Sequence, residues 1–220
     1  MPLPTNYIST RAFRATKGRG RLITPVAVLK QTFTNPITLD ADGFSVSHAG
    51  AGAAGTTSMT LGGALCTSGV GINATPRNVV ITVTHGSAVV AMSGVITGTD
   101  IYDQPQTEAW SVTAGTTSKT FTGKKAFKTI TSITEVVAAD ASANTIVAGS
   151  GTVLGIESPL SVASLLKEVS DGSIVTNGTV VAASTATTAD PRGTYSPNTA
   201  PDGTKTYVIY YLSDNPESAR

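Results

Sequence analysis

The sequence predicts an all-β fold, a sandwich or related barrel, preceded by an extended basic N-terminal arm. Three observations carry that expectation. The 220 residues include 36 Thr, 21 Ser and 22 Gly, with only 13% charged and 5% aromatic side chains. β-Branched residues pack well on a pleated surface, and Gly and Ser supply turns. Short runs with period-two apolar alternation recur between turn signals about every 8–12 residues, as in a sandwich or barrel. Finally, charge is unevenly spread: the first 39 residues carry +6 and no acid, and the remaining nine basic and fourteen acidic residues leave −5. A mean hydropathy of +0.12 and a net charge of +1 argue against wholesale disorder. The length suits one domain with an extension.

The arm is expected over residues 1–34. It contains Arg11, Arg14, Lys17, Arg19 and Arg21, spaced by glycines that keep the chain flexible. A solvated tail, a nucleic-acid-binding arm and a segment that docks on an acidic protein surface compete for it. Aromatic interleaving is confined to Tyr7 and Phe13, which weighs against nucleic acid. Docking is the favoured reading. The five cations would meet carboxylates, with Leu22, Val26 and Val28 as apolar anchors. Fully extended, such an arm reaches about 110 Å.

The β domain is expected over 35–220. Residues 22–33 are apolar and extended, and 37–39 lead into the turn DADG from Asp40. A loop-rich insertion occupies about 40–75, including the small-residue stretch HAGAGAAG from His48. Strands are expected at 79–84, where Val79, Ile81 and Val83 share a face, and at 89–99. Residues 100–105 turn the chain into a strand at 106–112, which carries the only tryptophan, Trp110. Further strands are expected at 117–121, 125–137 and 145–148. Residues 158–169 read either as a helix, capped by Ser158 with Pro159 at its first position, or as a strand. Asp171-Gly172 and Asn177-Gly178 are strong hairpin signals and favour strands at 162–169, 173–176 and 179–183. A long polar loop spans 184–204, and 207–212 is expected to join the main sheet.

Chemistry-bearing residues are few. One cysteine, Cys66, excludes an internal disulfide and a multi-cysteine zinc site, and only His48 and His85 offer imidazoles. No catalytic residue, metal or cofactor is expected. DADG from Asp40 is a fragment of a calcium loop without its closing Glu. Ser164 and Lys167 form an S-x-x-K match without the accompanying motifs of acyl-serine enzymes. Residues 115–120 lack the spacing of a phosphate loop. Asn73 and Asn177 begin glycosylation sequons, but the opening MPLPTNYIST has no apolar signal region, so they read as chance. Asp100, Asp103 and Glu108 could cluster near one turn. No apolar run approaches the ~18 residues that cross a bilayer.

Segment order adds a resemblance. RNVVITVT from Arg77, GVITGTD ending at Asp100, GKKAFKTITSI from Gly123, and the closing DPRGTY from Asp190 and APDGT from Ala200 together resemble virion structural proteins of tailed bacteriophages. The likeness covers about residues 76–212. It implies an immunoglobulin-like β-sandwich or related barrel and a non-enzymatic role as a capsid decoration or cement protein. The implied partners are the major capsid protein, other virion proteins and further copies of the chain. The implied place is the virion, at the capsid surface. A tail or neck component is the alternative within that class, and a host-surface or carbohydrate-binding β module the alternative outside it.

Overall fold

The computed structural model describes residues 27–160 and 162–213. Arg11, Arg14, Lys17, Arg19, Arg21, Leu22 and Val26 lie outside the described residues. The described chain is all-β, with fifteen strands and no helix. It divides into two compact units, one of residues 38–155 and one that joins the residues up to 37 to those from 156. The span 35–220, expected as one β domain, is divided between these two units. The described strands form two sheets, one of four strands and one of eleven.

The first strand, β1 (Ala27–Thr34), belongs to the second of these units. The unit of residues 38–155 contains β2 (Ser45–Ala49), β3 (Gly55–Ser58), β4 (Cys66–Thr67), β5 (Val70–His85), β6 (Met92–Thr99), β7 (Pro105–Val112), β8 (Lys119–Thr122), β9 (Phe127–Val137) and β10 (Asn144–Gly155). Its antiparallel sheet curls into a half-barrel. The hub is β5. From Val79 to His85 it pairs with β10, and from Val80 to Val83 it also pairs with β8. Earlier, Gly71 and Ile72 pair with Ile130 and Thr129 of β9. β9 in turn pairs with β6 and β3, β6 with β7, and β2 with β10. Val79, Ile81, Val83, Ile96, Trp110, Ile130, Ile133 and Ile146 meet in one core cluster. Their period-two placement is the reason the expected strands form.

β5 is much longer than the strand expected at 79–84, because it runs through Pro76, Arg77 and Asn78, which are poor strand formers. The register of β10 against β5 shifts between Ser150 and Leu154. Such a bulge leaves backbone groups unpaired. Two fully buried side chains of β5 take them up. Arg77 Nε donates to Gly151 O (2.8 Å), and Asn78 Oδ1 accepts from Val153 N (3.0 Å). Across β6, Gly94 is required by close approach: a Cβ there would lie 1.8 Å from Thr134 O and 2.5 Å from Trp110 Nε1.

In the other unit, β1 pairs antiparallel with β15 (Thr206–Ser213) along its whole length, from Ala27 opposite Ser213 to Thr34 opposite Thr206. β11 (Leu165–Ser170) lies on the other side of β15 and β12 (Ser173–Val175) beyond it, giving the order β1-β15-β11-β12. β13 (Thr179–Ala182) and β14 (Gly193–Ser196) form a hairpin. The buried apolar residues of this unit include Leu29, Phe33, Leu160, Tyr195, Tyr207, Ile209 and Tyr211. Phe33 stacks on Tyr195, with ring centroids 5.4 Å apart.

Four expectations change here. The last eight residues assigned to the arm, 27–34, form a strand, since Ala27, Leu29, Gln31 and Phe33 alternate inward. Residues 207–212 pair with β1 and β11, not with the main sheet. Asp171-Gly172 does turn the β11–β12 hairpin, both residues having positive φ (48° and 81°). Asn177-Gly178 turns no hairpin, because β12 pairs with β11 and β13 with β14. The alternative left open at 158–169 resolves to a strand from Leu165, and the loop expected over 184–204 contains β14.

Phe33→Ala should cost about 3–5 kcal/mol, the range for a buried aromatic truncation. Deleting 1–34 should cost more, since it removes a whole strand. Deleting 1–26 removes no described strand and should leave the transition in place. Urea unfolding of the three proteins, followed by circular dichroism, checks this ordering.

Candidate interaction surface

Among the residues expected to bind a partner, Val28 is the one the structure describes. It is half-buried on β1, opposite Leu212, with Lys30 two residues on opposite Tyr210. β1 is an edge strand of its sheet. The side facing inward anchors it: Gln31 is buried, and its Oε1 accepts from Glu157 N (3.0 Å). The segment 1–26 therefore leads into a strand held firmly by its own unit.

Of the side chains with catalytic potential, His48, Cys66 and Lys167 make structural contacts, while His85 Nδ1 and Ser164 Oγ are buried without a hydrogen-bond partner among the described residues. His48, on β2, places Nε2 3.1 Å from Glu135 Oε2, and Thr57 Oγ1 donates to the same oxygen at 2.9 Å. Hydroxyl and imidazole thus converge on one carboxyl oxygen. In that arrangement the hydroxyl proton points to the carboxyl group, not to the imidazole base that a hydroxyl nucleophile would need. Cys66 Sγ donates to Phe44 O (3.3 Å), and burial pushes its thiol up from the ordinary value, against thiolate formation. Lys167 Nζ lies 5.7 Å from the centre of the Tyr210 ring, a cation–π contact. His85 ends β5 opposite Asn144. Trp110 is buried and its Nε1 donates to Thr134 O (2.9 Å).

The two sequon asparagines are also committed. Asn73 is 2% exposed and its Nδ2 donates to Phe127 O (2.9 Å). Asn177 Oδ1 accepts from Glu168 N (2.9 Å) and its Nδ2 donates to Leu165 O (3.2 Å), mimicking a backbone partner beside β11. Asp40 and Asp42 form a turn tied to β10, where Ser150 N donates to Asp40 O (2.8 Å). No group of three or more potential metal ligands occurs among the described residues.

Sequence reading missed the part played by three buried glutamates. Glu108 Oε1 accepts from Lys124 N (2.6 Å) and Lys125 N (3.3 Å), which fixes the entry to β9. Glu135 Oε1 also accepts from Ala51 N (3.4 Å) and holds the HAGAGAAG loop. Glu168 accepts from Gly178 N (2.5 Å) and Asn198 N (3.3 Å). Beside it, the Tyr195 hydroxyl is pushed far up by burial and by the Glu168 charge. The expected cluster of Asp100, Asp103 and Glu108 divides its tasks. Asp100 Oδ1 accepts from Tyr102 N (2.8 Å) and Gln104 N (2.9 Å), Asp103 pairs with Lys128 (2.7 Å), and Glu108 serves the β9 entry. Period-two reading held a usable signal, since Gln106, Glu108, Trp110 and Val112 share the inward face of β7.

No family model, curated protein or solved structure matches the chain.

Glu135→Ala should destabilise the protein by about 1–3 kcal/mol, because buried donors lose their acceptor. Glu135→Gln keeps one acceptor and should cost less. Denaturant melts, with amide exchange at residues 50–57, measure both effects. Glu157 behaves in the opposite sense. Burial raises its carboxyl above the ordinary value, so the folded state favours the neutral form. That contribution is present at low pH and lost as pH rises through the folded value. Glu157→Gln should therefore melt higher than the parent at pH 7, with the gap closing as pH falls toward the ordinary carboxyl range. A melting series across pH checks the sign.

Proposed function

We propose that the protein is a virion structural protein that binds the assembled shell of a tailed bacteriophage and stabilises it, as a decoration or cement protein. The observation that carries this reading is the junction at residue 27. An acid-free basic segment runs directly into an edge strand whose inner side is anchored in a core, and that arrangement suits docking on a neighbouring acidic protein surface. The resemblance of residues 76–212 to phage virion proteins supports the same class. The side-chain inventory fits a protein that works by contact, since His48, Cys66 and the buried glutamates make structural hydrogen bonds. A carbohydrate-binding module is less well supported, because Trp110, Tyr195, Tyr207 and Tyr211 are all buried.

The mechanism is additive contact. Each apolar side chain buried against the shell contributes roughly 1.5–3 kcal/mol before ordering costs. Copies repeated over a shell would tie neighbouring subunits together, and arginine forks would add bidentate carboxylate contacts. Antibody raised against the full chain and labelled with gold should mark the heads of virions made by cells that express the gene. Label on tails alone would move the protein to the tail or neck. Absence of label from every particle would overturn the reading.

A further inference from the structure

We infer that the outer face of the β1-β15-β11-β12 sheet is the surface that meets the shell, and that the shell patch it meets is apolar at its centre and acidic at its rim. The inference rests on the capsid-binding reading and adds the surface and the chemistry of the contact.

Register defines the face. Along β15, Tyr207, Ile209, Tyr211 and Ser213 are buried, which turns Val208, Tyr210 and Leu212 to the other side. Val28 lies opposite Leu212 and Lys30 opposite Tyr210 on β1. Lys167 lies opposite Tyr210 and Val169 opposite Val208 on β11. Ile174 of β12 lies opposite Val169 and is 72% exposed. Six apolar side chains thus share one face across four strands. An antiparallel sheet with one solvated face ordinarily alternates polar residues outward. Here Gln31, Glu168 and Ser213 are polar residues at inward positions, while Val, Leu, Ile and Tyr stand outward beside Lys30, Lys167, Thr32 and Thr34.

Charge selects the occupant. The charged residues at the outward positions of the paired strands are Lys30 and Lys167, while Glu168 faces inward and is fully buried. A second copy docked face to face would bring four lysines together without a carboxyl between them, which opposes self-pairing. A partner with acidic residues around an apolar patch would satisfy both parts of the face. Arg11, Arg14, Lys17, Arg19 and Arg21 precede the strand that forms its edge and carry the same sign.

The test uses the full chain and empty shells of the phage that encodes it, prepared from a strain lacking the gene. Ile174→Glu, at an exposed position, should bind shells at least tenfold more weakly in co-sedimentation while melting like the parent. Ile174→Ser serves the same purpose if the charge disturbs folding. The double variant Lys30→Glu and Lys167→Glu should lose more binding at low salt than at high salt, where screening shortens to about 3 Å at 1 M. If the parent binds and all these variants bind equally well, the face is not the docking surface, and the capsid reading stands. If the parent does not bind, both fall. If sedimentation of the free chain shows a dimer that Ile174→Glu dissociates, the face is occupied by a second copy and the inference is overturned.

Discussion

Glu108, Glu135 and Glu168 are nearly or wholly removed from solvent, and each accepts backbone N–H groups from a loop that would otherwise lack partners. That arrangement supports much else in both units. A β protein with few charges and many small residues has long connections that cannot bury enough apolar surface to fold by themselves. Its backbone donors still need acceptors once they approach the sheets. A carboxyl group offers two oxygens and makes stronger hydrogen bonds than a neutral acceptor. One inward glutamate per loop therefore fixes a segment that side-chain packing could not hold. The loop before β3, the entry to β9 and the segment between β12 and β13 are all held this way. The same use of acids recurs at turns, where Asp190 Oδ1 accepts from Arg192 N (2.8 Å) and Gly193 N (3.1 Å).

Burying these groups is costly unless every oxygen finds a donor. The structure meets that demand by convergence from different elements. Thr57 of β3, His48 of β2 and the Ala51 amide all reach Glu135 of β9. The contact is long-range in sequence and local in space, so it couples three separate segments in a single step. The buried Arg77 and Asn78 of β5 do the complementary task at the β10 bulge, supplying hydrogen bonds that an irregular ladder lacks. Several of the buried polar side chains, wherever they sit on the strands, thus bond to backbone groups where regular pairing stops.

The strands were largely legible because period-two burial needs only neighbouring residues. β6, β7, β9 and β15 follow from alternating Val, Ile, Thr and aromatic positions. β5 was only half legible, since its first half contains Gly71, Asn73 and Pro76 and depends on distant partners for its pairing. The division into two units was not legible, because one unit joins β1 to strands more than a hundred residues later, and no local signal marks that pairing. Of the candidate surface, Val28 was legible as an apolar position. Its neighbours were not, since the sequence places Leu212 and Tyr210 in a strand without saying which strands lie beside them.

The composition of the outer face depends on one irregularity. Alternation along LLKEVS would group Leu165, Lys167 and Val169 on one side and Leu166, Glu168 and Ser170 on the other. The register against β15 shifts between Leu165 and Lys167, with Leu165 opposite Tyr211 and Lys167 opposite Tyr210. A one-residue shift exchanges the faces of the residues beyond it. Past that bulge, Glu168 turns inward to hold Gly178 and Asn198, and Val169 turns outward beside Val208. The same shift that gives two loops their acceptor therefore places an apolar residue on the surface and leaves Lys167 over Tyr210. Loop anchoring and the apolar face are two consequences of one backbone feature, so a change that restored regular pairing in β11 would disturb both together.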